Sequence, residues 1–105
     1  MHRDIYKAIS DPIRRDIIDM LSENVLSVND VAQNFEISRP AISKHLKILN
    51  ESGLIKISKK GRARMCELEV QNLIPAFLWL EKHKELWEQR RDSFDDYLSK
   101  LNSKK

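Results

Sequence analysis

Apolar residues recur along this chain in runs whose spacing changes twice, and the changes mark out its elements. Ile5 and Ile9 stand four apart within residues 2–9, which predicts a short first helix with one adhesive face. Asp11 followed by Pro12 has the chemistry of an N-cap and a first helical position, where proline has no hydrogen-bonded N–H to lose. Ile13, Ile17, Ile18 and Leu21 continue at helical spacing, so a second helix is expected over residues 12–23. Ser27 can cap a third helix from Val28 to Asn34, with Val31, Ala32 and Phe35 facing inward. Ser38 is placed to cap a fourth, in which Ile42, Leu46 and Leu49 recur at i, i+4 and i+7 until Gly53. Glycine suits the left-handed residue that ends a helix.

After Gly53 the period drops to two. Leu54 to Lys59 and Arg62 to Leu68 alternate across Lys60-Gly61, the signature of a β-hairpin. From Asn72 to Leu101 the pattern is helical again, with Pro75 tolerated because it falls in the first turn. At about 1.5 Å per residue such a helix is about 45 Å long, whereas a compact domain of about 100 residues has a radius of gyration near ~13 Å. Part of it must project. Leu73, Phe77, Leu80, Lys84, Trp87, Arg91, Phe94, Leu98 and Leu101 follow a 4-3-4-3 spacing, a heptad seam interrupted by two cations. A stripe of that kind is covered by another helix, and a second copy of the chain is the expected cover. Ile5, Tyr6, Ile9, Leu80, Trp87, Phe94, Leu98 and Leu101 are the expected interface. The fold expected is mainly α with a small β-hairpin. It is one domain over residues 1–105, in which 1–10 and 72–102 are dimerisation helices.

Charge adds what hydropathy does not show. The 105 residues carry 19 Lys+Arg against 16 Asp+Glu, a net +3. Residues 38–65 alone hold eight basic side chains and one acid, Glu51, which leaves 11 basic and 15 acidic residues elsewhere. A +7 block in an otherwise acidic chain is an electrostatic footprint for a polyanion. With two glycines eight residues apart, the chain builds neither the three-glycine dinucleotide fingerprint nor a P-loop. The one cysteine, Cys66, permits no intramolecular disulfide and no multi-cysteine zinc site. No charged-then-apolar leader and no run of about 18 apolar residues occurs, so a soluble, cytoplasmic protein is expected.

Two short helices joined by Glu36-Ile37, the second amphipathic and basic, followed by a basic hairpin, have the order of a winged helix-turn-helix. The second helix of such a pair enters the major groove of double-stranded DNA with its N-terminal residues at the base edges. Projected at about 100° per residue, Pro40, Ser43, Lys44 and Lys47 lie opposite the apolar line of Ile42, Leu46 and Leu49. Ser38 and Arg39 open the helix. The planar fork of Arg39 suits a guanine edge or a phosphate, Ser43 permits close approach, and Lys44 and Lys47 suit phosphates. Lys59, Lys60, Arg62 and Arg64 cluster at the hairpin tip, where a wing touches backbone or minor groove. His45 lies about 60° from the apolar centre and reads as a half-buried, locally bonded histidine before it reads as a phosphate contact. Cys66 reads as a small buried apolar group before it reads as a redox thiol beside Arg64.

The stretch SRPAISKHLKILNESGLIKISKKGRARMCEL, from Ser38 to Leu68, resembles the ArsR/SmtB family of bacterial winged-helix repressors, and DPIRRDIIDML before it resembles the second helix of that family. The resemblance spans residues 5–70; the tail LWEQRRDSFDDYL is similar to that of autorepressor-like members without a metal site. It implies a homodimeric DNA-binding repressor, and a two-fold dimer that presents two recognition helices is expected to bind an imperfectly palindromic operator. Many members carry Tyr-Tyr in the second wing strand where this chain has Met65-Cys66. Metal-sensing relatives place two thiolates in a Leu-Cys-Val-Cys-Asp-Leu stretch; here Leu26-Ser27-Val28-Asn29-Asp30-Val31 has Ser27 and Asn29 in their place. Others bind zinc between the last helices of two subunits with an Asp-x-His start and a distant His-x-x-acid or His-x-x-His, of which only Glu81-x-His83 resembles the start. No metal, no cofactor and no enzymatic activity are therefore expected: Cys66, His45 and the scattered carboxylates show no nucleophile–base spacing. The alternative is that the long helix docks a regulatory protein partner that sequesters the chain from DNA.

Overall fold

The computed structural model describes residues 4–103, and within the last helix the side chains of all but 85–87, 91–94 and 102–103. The order is α1 (Ile5–Ala8), α2 (Pro12–Glu23), β1 (Leu26–Ser27), α3 (Val28–Ala32), α4 (Arg39–Glu51), β2 (Ile55–Lys60), β3 (Ala63–Leu68), a 3-10 turn over Val70–Asn72 and α5 (Ile74–Ser103). Each of the four helix starts from α1 to α4 is set by a side chain that accepts a backbone N–H. The acceptors are Asp4 for Tyr6, Asp11 for Ile13 and Arg14, Ser27 for Asp30, and Ser38 for Ala41. The first of these corrects the sequence reading: Asp4 caps α1, so among the described residues that helix begins at Ile5 rather than at residue 2.

Two other boundaries move. Regular α3 stops at Ala32, and tighter bonds from Asn34 N–H to Val31 O and from Phe35 N–H to Ala32 O carry the chain on to the next turn. The hairpin turns one residue later than the expected Lys60-Gly61. Lys60 pairs with Ala63, so Gly61 and Arg62 are the two central residues. Gly61 has φ +61 and Arg62 no positive φ, the pattern of a type II′ turn. The short strand β1 has no counterpart in the sequence reading. It joins the hairpin as the third strand of an antiparallel sheet in the order β1-β3-β2, with Leu26 opposite Cys66 and Ser27 opposite Met65.

The residues divide into two compact units, one ending at Ile74 and one beginning at Pro75. In the first, the apolar stripes of α2 and α4 meet over the base of the sheet. Ile17, Val31, Ile42, Leu49, Leu54 and Cys66 are fully buried there. Leu73, placed by spacing at the head of the C-terminal seam, instead packs against this core from just before α5. Helix α5, whose residues after Ile74 form the helix of the second unit, runs unbroken for 30 residues, about 45 Å.

Candidate nucleic-acid interface

The register of the hairpin decides what its two faces carry. Side chains alternate across a strand, so Ile55, Ile57 and Lys59 on β2 share a face with their partners Leu68, Cys66 and Arg64 on β3. At the base that face is core. Towards the tip the same face carries Lys59 and Arg64, which continue past the apolar packing with cationic heads. Alternation thus turns a core strand into a basic arm without changing register.

Helix α4 makes the matching surface. Ile42, Leu46 and Leu49 are buried, while Ser38, Arg39, Pro40, Ser43, Lys44 and Lys47 are all exposed, as are Lys59, Lys60, Arg62 and Arg64 on the hairpin. Two adjoining hollows bring five of these ten together. One is lined by Ser43, Lys47, Asn50, Ile57 and Arg64, between α4 and both strands of the hairpin, with Val28 and Leu46 at its apolar side. The other is lined by Ser27, Asn29, Arg39, Arg62 and Arg64, between the starts of α3 and α4 and the wing. Neither lining contains an acidic side chain. Ser38, Pro40, Lys44, Lys59 and Lys60 line neither. The acid of this stretch, Glu51, sits one turn from Lys47 with its Oε1 3.9 Å from Nζ, a long pair with an exposed lysine and a half-buried carboxylate, weak enough for a phosphate to compete for the lysine.

Several side chains that sequence reasoning passed over hold this surface in place. Arg14, in the first turn of α2, donates from Nε to Ala8 O (2.7 Å) and from Nη2 to Lys7 O (3.3 Å), and its Nη1 lies 3.1 Å from His45 Nδ1 on α4. Arg15 donates to Ile9 O at 2.8 Å. A four-residue helix cannot stand alone, and these two arginines satisfy the carbonyls at the end of α1. His45 is half-buried as expected, but its bond runs to another helix rather than locally. Asn72 donates from Nδ2 to Gly53 O (2.6 Å), which pins the exit of α4 to the turn before α5. Asn29 Oδ1 accepts from Arg39 Nη1. Such bonds between residues far apart in sequence leave no periodic signal.

Burial pushes the Cys66 thiol above its ordinary pKa, the nearby Arg64 charge opposing it only in part. A protonated, enclosed thiol is a packing group. Among the described residues, no three His, Cys, Asp or Glu side chains gather as a metal ion would need, and no helix is long and apolar enough to cross a membrane.

Of the expected interface residues, Ile5 and Ile9 pack partly into the core of the first unit and Tyr6 is exposed. Leu80, Leu98 and Leu101 are each more than 40% exposed in the single chain. The side chains of Trp87 and Phe94 lie outside the described residues. Trp79, off the seam, has its ring centroid 4.8 Å from that of His83, and His83 Nδ1 lies 2.9 Å from Trp79 O.

Comparison with known proteins places this architecture. Residues 11–56 match the family described as bacterial regulatory protein, arsR family. The transcriptional repressor SdpR of Bacillus subtilis (strain 168) is 38% identical over 76 residues, which cover 72% of this chain and 84% of that protein. An arsenical resistance operon repressor of Staphylococcus xylosus is 38% identical over 64 residues, 61% of this chain and 62% of that one. The crystal structure of an ArsR family transcriptional regulator aligns with a TM-score of 0.72 at 36% identity, over 80% of this chain and 92% of its own. The homodimeric winged helix-turn-helix DNA-binding domain from Mycobacterium bovis aligns with a TM-score of 0.62 at 20% identity over 78% of each chain, a likeness of fold alone. An exposed basic helix and wing on this framework, together with these matches, establish that the chain belongs to the ArsR family of bacterial regulatory proteins and is a winged helix-turn-helix, DNA-binding transcriptional regulator.

Proposed function

We propose that the chain is a repressor that binds a palindromic operator as a homodimer, without a metal ion. The observation that carries this reading is the pair of acid-free hollows between α4 and the wing, whose Arg39, Lys47, Arg62 and Arg64 make a cationic surface of the kind a phosphate backbone binds. Helix α4 enters the groove, with Ser38, Arg39, Pro40 and Ser43 nearest the bases. Lys44 and Lys47 hold the flanking phosphates, while Lys59, Lys60, Arg62 and Arg64 grip the backbone from the wing. Exposed Leu80, Leu98 and Leu101 on α5 support pairing with a second copy, which sets two recognition helices about 34 Å apart. Absence of metal control is supported by what occupies the thiolate positions of metal-sensing relatives: Ser27 caps α3 and Asn29 binds Arg39.

The test is a titration of promoter DNA against salt. With about 6–10 phosphates contacted, affinity falls roughly 10³–10⁵-fold between about 50 and 200 mM salt. Arg39→Ala relaxes sequence preference, whereas Lys60→Ala weakens all duplexes alike and lowers the salt slope by about one. A flat salt response, or equal losses on specific and random duplexes for both variants, overturns the assignment.

A further inference from the structure

In sequence Asn29 stands out only as a residue where related chains carry a thiolate. In the fold it is the second residue of α3, exposed, and its side-chain oxygen accepts a hydrogen bond from Arg39 Nη1 across the turn between the two helices. Both residues line the hollow that also holds Arg62 and Arg64. An arginine side chain has many rotamers, and one that reads a base must give up that freedom on binding unless something already holds it. A guanidinium carries five N–H donors in a planar fork. Engaging Nη1 leaves the Nε–Nη2 edge open, and that edge has the spacing of O6 and N7 of guanine. The acceptor is also neutral. An amide oxygen orients the fork without cancelling its charge, whereas a carboxylate there would place a negative charge at the phosphate surface. The wing arginines lie on the same hollow, so Arg39 without a holder would be free to swing with them towards backbone phosphate, which carries no sequence information.

We propose that Asn29 is a positioning residue for sequence recognition: it fixes the Arg39 guanidinium so that its outer edge reads a guanine. This rests on the reading of Arg39 as a base-contacting residue. The experiment first selects a preferred duplex with the wild-type chain from a randomised library. It then measures the ratio of affinities for that duplex and a scrambled one with Asn29→Ala, Asn29→Asp, Arg39→Ala and the Asn29→Ala/Arg39→Ala double variant. Asn29→Ala is expected to lower the ratio by about five- to tenfold, the weight of one hydrogen bond, through weaker binding of the preferred duplex and with no loss of scrambled-duplex affinity. The double variant loses no more than Arg39→Ala alone. Asn29→Asp, which keeps the acceptor, holds the ratio while weakening both duplexes. The proposal is overturned if Asn29→Ala leaves the ratio intact, weakens both duplexes equally, or adds its loss to that of Arg39→Ala. Should Arg39→Ala itself leave the ratio intact, the base-reading role of Arg39 fails and the role of Asn29 with it. A loss for Arg39→Ala without one for Asn29→Ala removes the positioning role only.

Discussion

Asp11 starts α2 by accepting the N–H groups of Ile13 (2.8 Å) and Arg14 (3.2 Å). Partial burial pushes its carboxyl upward, but those two bonds and the charges of His45 and Arg14 outweigh it, and its pKa falls below the ordinary value. A carboxylate with a lowered pKa in the folded state stabilises the fold fully above the unfolded value of about 4. That contribution is lost as pH falls through the folded pKa. Asp11→Ala is expected to cost about 1 kcal/mol at neutral pH in urea unfolding, and the deficit should shrink in acid as the wild-type carboxyl protonates. An equal deficit at both pH values would mean that the charge contributes nothing. Asp11 was legible because capping is chemistry between near neighbours. Arg14 was not, since its contacts to Lys7, Ala8 and His45 exist only once three helices are packed.

At the scale of elements, the recognition helix is bounded by Ser38 and by Gly53, which adopts φ +82. An alanine there is strained by about 1–2 kcal/mol, and its Cβ would stand 3.4 Å from the Asn72 amide that donates to Gly53 O. Gly53→Ala is expected to lower the melting temperature by roughly 4–16 °C, and Gly53→Asn by less, because asparagine enters the left-handed region more readily. Equal melting of both variants and wild type would show that this exit is not under conformational demand. Helices α2 and α4 were read to within a residue from apolar period and caps. Strand β1 was not, because two residues are too few to show a period and its existence depends on β3 lying alongside. The one-residue shift at the hairpin tip has the same cause: pairing of Lys60 with Ala63 extends the ladder past the point where composition suggested a turn.

For the whole molecule, the proposed pairing with a second copy rests on the 30-residue α5 and its exposed Leu80, Leu98 and Leu101. Sedimentation equilibrium of the full chain is expected at twice the chain mass. Leu98→Lys/Leu101→Lys, which changes side chains already exposed in the single chain, should shift it to the monomer and reduce operator affinity, since each half-site is then bound alone. A variant that stays dimeric would move the interface away from this seam.

By itself the sequence determined the local and the periodic: the caps of α2 to α4, the apolar stripes, the +7 block over residues 38–65 and the order of helices and wing. Each of these follows from residues a few positions apart. Tertiary structure alone decided which distant groups meet. It set Arg14 against His45, Asn72 under Gly53 and Asn29 against Arg39, and it seated Arg39, Arg62 and Arg64 around one hollow. The physical reason is that an isolated polar side chain has many possible partners along a chain, and packing of the apolar faces selects one.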